Sequence, residues 1–307
     1  MDGFSDFEIF ARVVTSGSMS NAAREAGCSP AVVSKRIRRL EERLGTRLLQ
    51  RTTRQIALTE AGQGFYERVV AILASIEEAE TWASSGSSAV RGVLRVTAPT
   101  SFGRLHIAPH LPAFLKEHPE LTIDLELSDA YVDLVAEGFD LAVRIGELEN
   151  SSLVAKRLAP SHRVLCASPA HLEAFGHPRS LADLSRHPLL AHNTDQWRLE
   201  GPSGPVTVRV DGPLRTNSSE VVREAVIAGL GIALRSTWDV GPDLRAGTLE
   251  RVLPDHAGSR SVGVFAVYPS RRHLARKVRV FIDRLAELYG PVPPWDLGLG
   301  FETPTAA

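Results

Sequence analysis

At 307 residues, 43% hydrophobic and 23% charged, the chain has room for two or three globular units, since one domain usually takes about 100 to 200 residues. No apolar run approaches the roughly 20 residues of a membrane span, and the acidic start MDGFSDFEIF lacks the basic region and apolar core of a secretory signal, so a cytoplasmic protein is expected. The cysteines, Cys28 and Cys166, are too few and too far apart for a disulfide framework or a cysteine-rich zinc site, and both are expected to be inert thiols. The net charge of -1 argues against a uniformly basic nucleic-acid binder, although its distribution along the chain is uneven.

Phe7, Phe10, Val13 and Val14 recur at helical spacing until Gly17 interrupts them, which predicts a first helix. Ser18 caps a second, SMSNAAREAG, whose Ala22, Ala23 and Ala26 let another helix approach closely before Gly27 ends it. Ser29 caps a third, with Pro30 at the first position, where a missing N–H costs nothing, and with Val33, Ile37, Leu40 and Leu44 as its buried stripe. Two short helices across a Gly-containing turn, the second strongly basic, form a helix-turn-helix pattern. Lys35, Arg36, Arg38, Arg39, Arg43, Arg47, Arg51 and Arg54 face only Glu41 and Glu42, a local excess of six positive charges. Such a patch is the footprint of a polyanionic partner, although charge alone fits a solvated helix face equally well. In this geometry the start of the third helix enters the major groove, so Ser29, Pro30, Ala31, Ser34, Lys35 and Arg38 are the candidate DNA contacts. Ser34 and Lys35 are the foremost; Ala31 suits a thymine methyl and Arg38 a phosphate. After Gly45, LLQRTTRQIAL reads as two short strands around Thr52 and Thr53, a wing whose Arg51 and Arg54 are placed for phosphates or a narrow minor groove.

The run GSMSNAAREAGCSPAVVSKRIRRLEERLGTRLLQRTTRQIALTEAG, residues 17–62, closely resembles the DNA-binding domain of LysR-type transcriptional regulators. The capped helix, SPAVVSKRIRRLE, LGTRLLQRTTR and LTEAG occur in order, and Arg36 is a departure where members often carry an uncharged polar residue.

Thr59 caps a long helix with Glu60 at the positive end of its dipole. Phe65, Val69, Ile72, Ile76 and Ala79 then alternate by four and three, a heptad seam that predicts coiled-coil-like dimerisation. The resemblance implies the same linker-helix homodimer, a tetramer built as a dimer of dimers, and control of a neighbouring operon. Two recognition helices at fixed separation require half-sites spaced by whole turns of double-stranded DNA, so a partly palindromic operator and strong salt dependence are expected. The Ser/Gly-rich stretch 83–92 reads as a flexible joint.

From Gly92 strands and helices alternate: GVLRVTAP, a helix over Leu105 to His118, TIDLELSD, a helix in YVDLVAEG, and FDLAVRIG. A strand pair in LVAKRLAPSHRVLCASP follows, then further strands, the helix SEVVREAVIAG, the strands LGIALRS and SVGVFAVYP, and a closing amphipathic helix over Arg271 to Tyr289. This alternation fits two α/β lobes. The resemblance implies an effector-binding region similar to periplasmic solute-binding proteins, with crossovers near Ala159 to Arg163 and Ala266 to Pro269. The expected division is a winged helix-turn-helix over 1–58, a linker over 59–91, an effector-binding region over 92–290 (lobe I 92–160 and 267–290, lobe II 161–266) and a mobile tail over 291–307.

Ligands of α/β lobes sit where strands end and helix N-termini present free N–H groups. Thr100, Ser101, Ser128 and Asn217 stand at such places and are the candidate effector contacts; helix capping is the competing role for the serines. Free N–H groups favour an anion, so a small carboxylate is expected, with Arg144 and His192 as further charge-recognising candidates or as merely structural residues. His106 and His110 are four apart, but Pro109 and the lack of a nearby carboxylate make them a coincidental pair. Gly229 and Gly231 follow a helix and enter a strand, the reverse of a dinucleotide-binding loop. No phosphate-loop or nucleophile-elbow stretch occurs, so no catalytic residue, metal or cofactor is assigned. The alternative reading is a small-molecule binding protein or degenerate enzyme with an incidental helix-turn-helix.

Overall fold

The computed structural model describes residues 2–51, 56–83, 90–130, 132–147, 153–192, 194–269 and 274–301. α1 (Asp2–Ser16), α2 (Met19–Glu25) and α3 (Pro30–Leu44) form the N-terminal unit. The predicted caps operate: Ser18 Oγ accepts the Asn21 N–H and Ser29 Oγ the Val32 N–H, each at 3.4 Å. Gly45 ends α3 at φ 66°, which returns its N–H to the carbonyls of Glu41 and Glu42. Phe10, Val13, Ala22, Val33, Ile37 and Leu40 make one buried cluster. β1 (Leu49–Arg51) pairs antiparallel with β2 (Ile56–Leu58), giving the wing; its tip, with Arg54, lies outside the described residues, as does the Arg51 side chain.

α4 (Glu60–Ala83) departs from the predicted seam. Phe65 packs on Phe7 and Phe10 with ring centroids 5.7 and 5.5 Å apart, and Val69 is fully buried. These two residues complete the core of their own unit, because one apolar side of a helix docks equally well on its own domain or on a partner. Ile72 is 41% exposed and Ile76 half-buried, and the Ala79 side chain lies outside the described set.

In the first lobe, β3 (Gly92–Ala98) leads into α5 (Thr100–Phe102), a π turn over Gly103–Ile107, a 3-10 turn over Ala108–His110 and α6 (Leu111–Glu117). This is the expected helix, re-wound where Pro109 and Pro112 cannot donate. β4 (Leu121–Leu127) and β5 (Leu141–Gly146) run parallel to β3. The helix expected in YVDLVAEG is instead a single turn. Asp133 Oδ1 takes the Val135 and Ala136 N–H groups, and Gly138, at φ 71°, ends the turn; Tyr131 lies outside the described residues. β6 (Val154–Pro160) then precedes the passage to the second lobe.

The second lobe comprises β7 (Arg163–Ala167), α7 (Pro169–Phe175), a 3-10 turn over Leu181–Arg186, β8 (Leu189–His192), β9 (Gln196–Gly201), β10 (Gly204–Arg209), β11 (Arg215–Thr216), α8 (Ser219–Ile227), β12 (Ile232–Ser236), α9 (Thr237–Ala246), β13 (Glu250–Arg251) and β14 (Ala257–Gly258). Its sheet runs β10-β9-β14-β7-β12-β8-β11, with β13 also on β7. β15 (Gly263–Tyr268) returns to the first lobe, between β5 and β6, in a sheet ordered β4-β3-β5-β15-β6. The second crossover therefore falls between Gly258 and Gly263, ahead of the expected Ala266 to Pro269. An apolar strand such as GVFAVY carries no mark of which sheet it joins.

α10 (Arg276–Tyr289) packs Val278, Phe281, Ile282 and Leu285 into the first lobe. The tail is not mobile over 291–301. Trp295, 3% exposed in the 3-10 turn Pro294–Asp296, lies 5.1 Å from the Tyr289 ring and 5.7 Å from Phe102. The Arg245 guanidinium of α9 donates to the carbonyls of Trp295 and Leu297, so the segment bridges both lobes. Among the described residues, no helix is long and apolar enough to cross a membrane.

Candidate functional site

α3 buries Val33, Ile37 and Leu40 and turns the opposite side outward. Ser29, Pro30, Ala31, Lys35 and Arg38 are exposed and Ser34 half-buried, so all six sequence candidates lie on or beside one accessible helix start. The Ser29 hydroxyl is committed to its cap. Lys35 and Arg38 have no carboxylate in ion-pair range among the described residues, whereas the Arg43 guanidinium sits 5.3 Å over the Phe7 ring and so serves packing. An exposed helix side carrying unneutralised cations meets the electrostatic demand of a phosphate backbone.

Two side chains whose part in holding the wing was not expected from sequence fasten it to the flanking helices. Glu41, counted only as an opposing charge, accepts from the N–H groups of Leu48 and Leu49 at 2.9 and 3.1 Å through one carboxylate oxygen. Thr59 donates to the Arg47 carbonyl at 2.7 Å and accepts the Gly62 N–H at 2.9 Å, so the cap of α4 also holds the wing's base. A Cβ at Gly62 would stand 2.0 Å from the Leu48 carbonyl oxygen, which makes glycine obligatory there. α3, the wing and α4 are thus joined by side-chain-to-backbone hydrogen bonds.

A cavity of about 400 Å³ lies between the two lobes. Ser101, Ser128 and Arg144 line it from the first lobe; His192, Ser219 and Arg235 line it from the second. Ser101, 3% exposed at the junction of β3 and α5, has no hydrogen-bond partner for its Oγ among the described residues. Ser128 Oγ accepts the Ala130 N–H at 3.2 Å. Thr100 and Asn217 do not line the cavity: the Thr100 N–H donates to Asp129 Oδ1 at 3.0 Å, and Asn217 is exposed. Arg144 and His192 do line it, joined by Ser219 and Arg235. Lobe-to-lobe placement brought them in, and no spacing in the chain records it.

Arg235 is neutralised by buried Asp239 one turn on and donates to Ser219 Oγ at 2.9 Å. Burial lowers the His192 pKa, and the cations Arg235 and Arg163 lower it further, so the imidazole is neutral near pH 7. Arg104 reaches across the lobes to Glu220 at 2.9 Å, an exposed ion pair of the kind worth less than about 1 kcal/mol. His106 is occupied elsewhere: its Nε2 lies 2.8 Å from the Trp238 carbonyl and its ring packs on Trp295.

The chain matches two family descriptions, "Bacterial regulatory helix-turn-helix protein, lysR family" over residues 4–63 and "LysR substrate binding domain" over residues 87–290. It is 38% identical over 290 residues to the HTH-type transcriptional regulator DmlR of Escherichia coli strain K12, covering 93% of this chain and 94% of that one. It is also 38% identical over 286 residues to the transcriptional activator TtdR of the same strain, covering 92% of each. Among solved structures it is similar to CrgA, a LysR-type transcriptional regulator from Neisseria meningitidis, with a TM-score of 0.59, 32% identity, and coverage of 92% of this chain and 97% of that one. It is similar as well to full-length AphB of Vibrio cholerae, described as a virulence activator, with a TM-score of 0.59, 29% identity, and coverage of 92% and 98%. With the helix-turn-helix on an exposed basic helix and a two-lobed ligand-binding region behind it, the chain belongs to the LysR family of bacterial DNA-binding, effector-responsive transcriptional regulators.

Proposed function

We propose that this protein acts in the cytoplasm, binds a partly palindromic operator as a dimer or dimer of dimers, and controls a neighbouring operon in response to a compact anion. Ser29, Pro30, Ala31, Ser34, Lys35 and Arg38 engage the operator, with Arg51 and Arg54 of the wing alongside. Dimerisation runs through α4 at Ile72, which is 41% exposed, and onward through Ile76 and Ala79. The anion lies between the lobes, against Ser101, Ser128, Arg144, His192 and Ser219. No chemistry is done on it: Ser101 Oγ has no base within hydrogen-bond distance among the described residues, and Asp239 is held by Arg235.

One observation carries the reading: hydrogen-bonding groups from both lobes converge on one cavity. A ligand touching both lobes binds one relative orientation better than another, and that differential affinity is what shifts the lobes and the DNA-binding pairs. The Arg104 to Glu220 contact is weak enough to be remade in such a shift. The test is footprinting on the DNA upstream of the gene with a panel of small carboxylates, for wild type, Ser101→Val and Arg144→Gln. A carboxylate should alter the wild-type footprint, and both variants should bind DNA normally yet lose that response. Variants that respond like wild type would overturn the assignment.

A further inference from the structure

A second cavity, of about 640 Å³, lies where the chain passes between the lobes. Both passages line it, Ser161 to Arg163 on one and Gly258 to Arg260 on the other, together with Arg251 and Phe301. It shares no lining residue with the interlobe cavity described above.

Two of its polar groups, on Ser161 and Arg251, are left without partners among the described residues. Ser161 is 2% exposed and its Oγ makes no hydrogen bond among the described residues. Arg251 Nε is likewise buried and unbonded, with the guanidinium 5.0 Å from the centre of the Phe301 ring. Neither Arg163 nor Arg251 has a carboxylate in ion-pair range among the described residues, and burial lowers both pKa values, that of Arg163 to about 10. The acids around the cavity are engaged or peripheral. Glu200 accepts the Arg260 backbone N–H at 2.9 Å and lies 3.4 Å from its side chain, Asp255 is exposed, and Asp296, which does not line the cavity, holds His162 through Oδ2 at 2.9 Å while its Oδ1 is buried and unbonded among the described residues. The local backbone accommodates the cation: a Cβ at Gly258 would stand 2.7 Å from the Arg163 Cβ, so glycine there lets the arginine stem cross the strand.

Burying a hydroxyl and a guanidinium Nε without partners is costly, and folds retain such groups where something else completes them; here two half-buried guanidinium groups without a carboxylate stand beside them. We propose that this hinge cavity is a second ligand site, in which Arg163, Arg251 and Ser161 bind a compact oxyanion, carboxylate or phosphate. Because both passages line the cavity, an occupant fixes their relative geometry and hence biases the angle between lobes. Arg163 also acts electrostatically on His192 in the interlobe cavity, so neutralising it changes how that cavity receives a charged ligand.

The test uses the full chain. Thermal unfolding is followed against sodium phosphate and, separately, sodium malonate, in the low millimolar range with ionic strength held constant by chloride. At least one anion should stabilise the wild type saturably, and which one does so separates phosphate from carboxylate. Arg163→Gln and Arg251→Gln should weaken the apparent affinity by roughly tenfold or more, the loss expected for one charge-assisted contact. Arg144→Gln reports on the interlobe cavity, and Arg279→Gln, at an exposed arginine that lines neither cavity, should leave the affinity within about twofold. Circular dichroism checks the fold of each variant. Ser161→Ala, which removes one unbonded oxygen, should weaken binding a few-fold even if an arginine variant unfolds. Absence of saturable stabilisation by either anion, or equal stabilisation of wild type and Arg251→Gln, overturns the hinge site. Loss in Arg144→Gln alone also overturns it, by assigning the anion to the interlobe cavity and so supporting the effector reading.

Discussion

Glu41→Ala should loosen the wing from the recognition helix. One carboxylate oxygen accepts two backbone N–H groups, at 2.9 and 3.1 Å, beside Leu48 and Leu49, which are 1% and 2% exposed. Hydrogen bonds to a charged acceptor contribute about 1.5 to 3 kcal/mol each when isolated. Here one oxygen serves both donors and Glu41 is half-exposed, so water recovers part of the loss and a total of about 2 to 3 kcal/mol is expected. In a unit of this size that lowers the melting temperature by about 10 °C. Glu41→Gln keeps an acceptor oxygen without the charge and should cost about half as much. Thermal denaturation of the three proteins, beside operator gel shifts, reads both consequences, with affinity falling because the wing is no longer fixed against α3. An alanine variant within about 0.5 kcal/mol of wild type, or a glutamine variant as damaged as the alanine one, would refute the reasoning.

Other consequences follow from buried groups. His192 is neutral near pH 7 because burial and neighbouring cations lower its pKa; an anion beside it raises that value, so binding takes up a proton. Affinity for the anion should therefore rise as pH falls toward and below the usual histidine range, by at most about tenfold per pH unit. Calorimetry in two buffers of different ionisation heat would show no difference if His192 is not involved. Trp295→Ala should cost roughly 3 to 5 kcal/mol in urea unfolding, the usual penalty for emptying a buried tryptophan site. A tail free of the lobes would give almost none. Burial pushes the Cys166 thiol up to about 12, so iodoacetamide near neutral pH should modify Cys28 and spare Cys166 in the native protein. Parallel labelling of both would contradict its burial.

The N-terminal unit was legible because its signals are local. Ser18, Ser29, Pro30 and Gly45 mark helix ends by their own chemistry, and the spacing of Val33, Ile37 and Leu40 needs no knowledge of what they touch. Phe65 and Val69 show the limit of that reasoning, since identical spacing serves a partner helix or the helix's own domain. The stretch 291–307 reads as a mobile tail, yet Trp295 and Phe301 are large aromatic residues that anchor it over 291–301. Of the effector candidates, Ser101 and Ser128 were found because strand ends point at ligands. Arg144, His192, Ser219 and Arg235 converge only once two sheets are assembled from distant strands. The orphaned Ser161 and Arg251 are invisible in sequence for the same reason, because a missing partner is a property of the packed state.

In the proposed reading, DNA recognition depends most directly on the exposed basic side of α3 meeting phosphate and bases. Operator affinity measured by fluorescence anisotropy across a range of salt concentrations, for wild type, Lys35→Ala and Arg38→Ala, tests this. Wild-type affinity should fall steeply with salt. Arg38→Ala should flatten the logarithmic slope by about 0.9 for each phosphate left without its cation, or about two for a dimer. Lys35→Ala should weaken the operator more than unrelated DNA. A salt-insensitive wild type, or variants that share its slope and affinity, would contradict DNA recognition through this helix.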